Sequence, residues 1–126
     1  MNARNFSAAR HKLGRSQTKM AQLLGVSAKA VQSFEQGWRK VPAHIERQLL
    51  FLLALKKKDY AEGKPCWEMR NCPLEARENC PAWEFKLGHF CWFINGTICH
   101  GKAQPNWQKK IKICRHCEVF RKRAFL

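Results

Sequence analysis

Apolar positions recur at helical spacing through the first half of the chain and lose that order in the second. Phe6, Ala9 and Leu13 share one helical face, and Gly14 ends the element as a C-terminal cap does. A second helix starts near Gln17 behind Ser16, turns Met20, Ala21, Leu23 and Leu24 inward, and stops at Gly25. After the short turn Gly25-Val26-Ser27, Ser27 is placed to cap a third helix, Ala28 to Gln36. Its Val31 and Phe34 face a core while Lys29, Gln32 and Ser33 point away. Gly37 closes it, and Pro42 precedes a last helix of about 14 residues. This half reads as five short helices, the second and third held near a right angle by their turn.

The run Leu49 to Leu55 is apolar around the whole helix, more than one core stripe requires. Phe51 and Leu55 are expected to meet a second subunit or the other half of the chain. In that other half, Asn95-Gly96 between Phe90–Ile94 and Thr97–His100 predicts a β-hairpin. A two-residue loop pairs Ile94 with Thr97, Trp92 with Cys99 and Cys91 with His100. Cys91 and Cys99 then point to opposite faces, and Cys91 reads as packing.

Composition changes abruptly near residue 60. All seven Cys and four of the five Trp lie between Cys66 and Cys117. The seam predicts a helical domain over 1–57, a linker over 58–65 and a small Cys/Trp-rich α+β domain over 66–126, closing on the basic tail Arg121-Lys122-Arg123. Lys and Arg number 24 against 9 Asp and Glu, a formal charge of +15. Both halves share the excess, so a polyanion is the leading partner class. The longest apolar run has seven residues, where a membrane span needs roughly 20, and the polar N-terminus has no apolar core for a cleavage signal. A cytoplasmic protein is expected.

Gln17-Thr18-Lys19-Met20-Ala21-Gln22-Leu23-Leu24-Gly25-Val26-Ser27, continued by Val31, Phe34, Glu35, Gly37 and Pro42, resembles the Cro/C1-type, lambda-repressor-like helix-turn-helix over about residues 6–55. The resemblance implies a five-helix bundle that lays its third helix in the DNA major groove, usually as a homodimer on a near-palindromic site. It also implies that Gln17 and Ser27 touch or position phosphates, and that Ala28, Lys29, Gln32 and Ser33 face bases. Lys29 would reach guanine, Gln32 adenine and Ala28 a thymine methyl. Arg39 and Lys40, in the turn after Gly37, are candidate phosphate contacts.

The cysteines are spaced C-x5-C-x7-C-x10-C-x7-C-x14-C-x2-C. Their odd number, the missing export signal and a DNA-binding companion argue against a disulfide framework. A bound metal accounts better for seven thiols, and Cys114-Arg115-His116-Cys117 has the tight turn in which two thiolates reach one centre. Four or so of Cys66, Cys72, Cys80, Cys99, Cys114 and Cys117 are the candidate ligands. Scattered thiolates under Trp cover suit an iron–sulfur cluster. Zinc is the alternative, with His89, His100 or His116 as substitutes and His116 more an exposed bystander. The pairs Cys66-Trp67 and Cys91-Trp92 are similar to a small Cys-Trp module of bacterial regulatory and sensory proteins. That resemblance implies a ligand- or redox-sensing accessory domain over 66–117.

These readings converge on a transcription regulator that binds double-stranded DNA, its metal or cluster domain sensing redox or metal state. Dimerisation is expected through the last N-terminal helix or the Cys-rich domain. The alternative is an antitoxin or adaptor whose structural zinc domain binds a protein. No enzyme is expected: residues 1–64 offer no nucleophile–base pair, and the second half lacks the His-x-Glu partner of a zinc deaminase.

Overall fold

The computed structural model describes residues 1–56, 64–99 and 101–123, the side chains of Lys122 and Arg123 excepted. Most of the expected linker, His100 and those two tail side chains therefore lie outside the described residues. The chain divides into two compact units, the first made by Met1–Lys56. Among the described residues no helix is long and apolar enough to cross a membrane.

Four helices build the first unit: α1 (Ala3–Lys12), α2 (Gln17–Leu24), α3 (Ala28–Gln36) and α4 (Ala43–Lys56). Gly14, Gly25 and Gly37 divide this half into four stretches, and each stretch forms a single helix. The fifth helix of the expected bundle has no counterpart among the described residues. Ser16 Oγ accepts from the Lys19 amide at 3.2 Å and Ser27 Oγ from the Ala30 amide at 3.0 Å, satisfying donors that a helix start leaves open. Both helices end on glycine in the left-handed region, Gly25 and Gly37.

The core joins Phe6 and Ala9 of α1, Met20 and Ala21 of α2, Val31 and Phe34 of α3, and Ile45, Leu49 and Leu50 of α4. Phe6 meets Phe34 edge to face, with centroids 5.4 Å apart. Leu23, expected inside, is 36% exposed. The inward stripe of α2 is Met20, Ala21 and Leu24, and Leu23 falls just off it. In α4 the buried face is Leu49, Leu50, Leu53 and Ala54, while Leu55 stands out at 39% exposed.

The second unit is a chain of short helices interrupted by one two-stranded antiparallel sheet. Its described elements are α5 (Cys66–Met69), α6 (Leu74–Glu78), α7 (Pro81–Glu84), α8 (Cys91–Ile94), β1 (Ile98–Cys99), β2 (Lys102–Ala103), α9 (Trp107–Arg115) and α10 (Glu118–Arg123). Trp92 lies at the centre, fully buried, and packs edge-on against Phe120 of α10 with centroids 5.5 Å apart. Gly88 makes a close approach possible. Its carbonyl accepts from the Cys66 amide at 2.9 Å, and a Cβ there would stand 2.5 Å from Pro65 Cβ.

The hairpin expected around Asn95-Gly96 is not there. Phe90–Ile94 is apolar at every position, so it lacks the alternation that separates strand from helix, and residues 91–94 form α8. A type I′ turn needs positive φ at both central residues, yet Asn95 has φ −78° and only Gly96, at +58°, is left-handed. Asn95-Gly96 thus ends a helix. The antiparallel pair forms one step later, Ile98 opposite Ala103 and Cys99 opposite Lys102.

Candidate nucleic-acid interface and candidate metal centre

In the first unit, α2 and α3 are joined by three residues, and α3 is packed from behind through Ala30, Val31, Ser33 and Phe34. Its outer face carries Ala28, Lys29, Gln32 and Gln36, all exposed, with Ser27 at the start and Arg39 and Lys40 exposed after the end. Spacings of three and four put Lys29, Gln32 and Gln36 on one stripe.

Ser33 is a correction. Expected to face outward, it is only 8% exposed, because it sits one turn after Ala30 and next to Phe34, on the core side. Gln36 was missed, although its position one turn past Gln32 marks it in the sequence. Gln17 is half-buried, and its side-chain amide donates to Glu35 Oε2 at 2.7 Å. Arg39 lies over the Phe34 ring, 5.7 Å from the centroid, which holds its charge beside the end of α3. Trp38, also missed, is 73% exposed between Gly37 and Arg39.

The second unit brings all seven cysteines to the wall of one cavity of about 40 Å³. Short helices and turns deliver them. Cys66 and Cys91 open α5 and α8, and Cys72 and Cys80 precede the prolines that lead into α6 and α7. Cys99 closes β1, and Cys114 is buried in the last turn of α9. The Cys117 amide donates to the Cys114 carbonyl at 2.9 Å, so the C-x2-C segment is the tight turn between α9 and α10. Cys91, expected to turn away from Cys99, lines the same cavity, because the hairpin that would have separated them is a helix.

Polar groups reach in among the thiols. Arg70 Nη1 donates to Cys117 Sγ at 3.1 Å, and Asn95 Nδ2 donates to Cys80 Sγ at 3.3 Å. Asn95 is itself held by the Ala82 amide, which donates to its Oδ1 at 2.7 Å. Lys110, one turn before Cys114, also lines the cavity and is buried, its Nζ donating to the Gly96 carbonyl at 2.8 Å. Sequence reasoning missed all three. Only Lys110 had a signal, its four-residue spacing from Cys114.

Electrostatics differ around the ring. The thiols of Cys66 and Cys91 hydrogen-bond to each other, which lowers Cys66 and pushes Cys91 well above the ordinary thiol range. Burial raises Cys72 and Cys99, and pushes Cys114 up to about 11. Among the described residues, no three His, Cys, Asp or Glu side chains are grouped to hold one metal ion as they stand. The thiols are arrayed around a space and do not converge on a point. The donor set itself, soft sulfur with N–H groups aimed at it, is of the kind that soft metals and iron–sulfur clusters take. His116 is exposed.

No protein-family model, curated protein or solved structure matches this chain.

Proposed function

We propose that this chain is a sequence-specific DNA-binding regulator, reading duplex DNA with α3 and carrying in its second unit a thiolate-bound metal centre. The observation that carries the reading is the outer face of α3. A helix capped at both ends and backed by α2 presents Ala28, Lys29, Gln32 and Gln36 together, with Arg39 and Lys40 beyond. Base-edge donors on a rigid rod, flanked by cations for the backbone, are what major-groove readout requires. The charge of +15 supplies sequence-independent attraction to the duplex.

Residues of the first unit do the reading in this proposal. Lys29 donates to guanine and Gln32 pairs with adenine, Ala28 meets a thymine methyl, and Ser27, Arg39 and Lys40 fix the register on phosphates. Gln17 acts from inside, setting α2 against α3 through Glu35. Leu55, exposed at the end of α4, supports a homodimer, which would read half-sites about 34 Å apart. In the second unit the cysteines hold an iron–sulfur cluster or zinc. When bound, that centre supplies a redox- or occupancy-dependent state of the fold.

Selection of bound duplexes from a random pool tests the main reading. A recurring near-palindromic sequence supports it, and retention of all sequences alike overturns it. Metal analysis and a visible spectrum of anaerobically purified protein separate a coloured cluster from colourless zinc.

One observation favours a second reading, an adaptor or antitoxin with a structural zinc domain. Leu74 is 64% exposed and Phe85 59%, apolar surface of a kind that protein partners cover. Chelation that unfolds the second unit without changing DNA affinity favours this adaptor.

A further inference from the structure

Lys110 is 2% exposed, on a helix whose other inward residues are Trp107, Ile111 and Cys114. Its ammonium has three protons to donate, and its one hydrogen-bond acceptor among the described residues is the Gly96 carbonyl. The Trp107 ring, 5.8 Å from Nζ, adds only a weak contact. Arg70 enters the same cavity with its guanidinium on Cys117. Among the described residues no Asp or Glu lines this cavity, and Glu118 lies with Arg70 and Cys117 along a neighbouring cleft. Two cations therefore border a thiol-walled space: Arg70 is half-buried, whereas the Lys110 ammonium is fully buried, and a buried charge without a counter-charge is strongly unfavourable.

We propose that Arg70 and Lys110 are the internal counter-charges of a dianionic centre, a divalent metal core held by four of the seven thiolates. The inference rests on the metal reading above and adds its charge. Four thiolates around a core of charge +2 leave two negative charges, whether that core is a zinc ion or a 2Fe–2S or 4Fe–4S cluster in its +2 state. Two cations cancel them. The four thiols give up their protons on binding, and the remaining three stay protonated as wall. Arg70 also serves as a directional donor to a ligand sulfur, and Asn95 is placed to do the same at Cys80.

The test is a Co(II) titration of the full chain, reduced and anaerobic, read by sulfur-to-cobalt charge-transfer absorption and followed by Zn(II) competition. Thermal unfolding of the metal-free protein is measured alongside. Lys110→Met should weaken Co(II) at least tenfold and leave the metal-free melting temperature equal or higher, because it removes an uncompensated buried charge. Lys110→Arg should recover most of the affinity. Arg70→Gln should weaken Co(II) by a similar factor. Equal Co(II) affinity in wild type and both neutral variants overturns the inference alone. So does a Lys110→Met protein that melts well below wild type without metal, which marks Lys110 as merely structural. A wild-type protein that takes up neither Co(II) nor Zn(II) overturns the metal reading and this inference with it.

Discussion

Gln17 donates its side-chain amide to Oε2 of Glu35 across 2.7 Å, tying the first residue of α2 to the penultimate residue of α3. Arg10 of α1 forms an ion pair with the same carboxylate and donates its Nη1 to the Arg15 carbonyl at 2.9 Å. One acid thus joins three helices, and it lies one turn after Gln32, at the border between the exposed and the packed side of α3. The orientation of the exposed face of α3 against α1 and α2 depends on this shared carboxylate.

Glu35 should give the first unit an acid-sensitive component of stability. Burial alone would raise its carboxyl, but the hydrogen bonds from Arg10 and Gln17 outweigh it and bring it below the ordinary value of 4.5. A group whose pKa is lower folded than unfolded stabilises fully above the unfolded value, and that contribution is lost as pH falls through the folded one. Glu35→Ala should cost roughly 1.5–3 kcal/mol at neutral pH. Urea unfolding at pH 7 and at pH 3 checks it: the difference between wild type and variant should be large at the first and shrink at the second.

Lys29 and Ser33 should separate reading from packing. Lys29→Ala is expected to lower affinity for a selected site by about 1–3 kcal/mol while barely changing random DNA. A uniform loss, with a salt slope shallower by about one unit, would make Lys29 a phosphate contact instead. Ser33→Ala should leave sequence preference as it was. Gln36→Ala, one turn beyond Gln32, should change preference at one edge of the half-site. Binding titrations on matched and mismatched duplexes at two salt concentrations distinguish these outcomes.

Gly88→Ala should disrupt the second unit. The new methyl meets Pro65 Cβ at 2.5 Å and the Trp67 ring at 2.8 Å, and Pro65 is fixed by the backbone just before Cys66. Overpacking of this kind costs about 1–3 kcal/mol. Unfolding followed by Trp fluorescence, to which four of the five Trp contribute from the second unit, should report a lower midpoint for that unit, and the transition of the first unit should keep its midpoint.

Single Cys→Ser variants should reveal the ligand set. Cys114→Ser and Cys117→Ser are expected to release metal and loosen the second unit while the first stays folded. Unchanged metal content in both removes them from the set. Cys91→Ser belongs in the same series, since Cys91 lines the cavity and hydrogen-bonds with Cys66.

The first unit was legible because its signals are local. Ser16, Ser27, Gly25 and Gly37 act on their own backbone, and the structure puts α2 and α3 where those residues start and stop them. Ser33 was misplaced because a hydroxyl looks polar in a sequence although its angular position is that of Ala30 and Phe34. The second unit hid more. Its helices of four and five residues are too short to show a period, and Asn95-Gly96 suits a helix end as well as a hairpin. The partners of Cys80 and Cys117, Asn95 and Arg70, are 15 and 47 residues away. No spacing rule reaches that far.

Cys66 and Cys117 border the same hole from nearly opposite ends of the second unit. Any occupant gripping both would fasten the two ends of a loop of about fifty residues, and such a closure removes about 4 kcal/mol of chain entropy from the unfolded ensemble. The filled unit would then behave like a cross-linked ring, and emptying it would untie the knot at a single place.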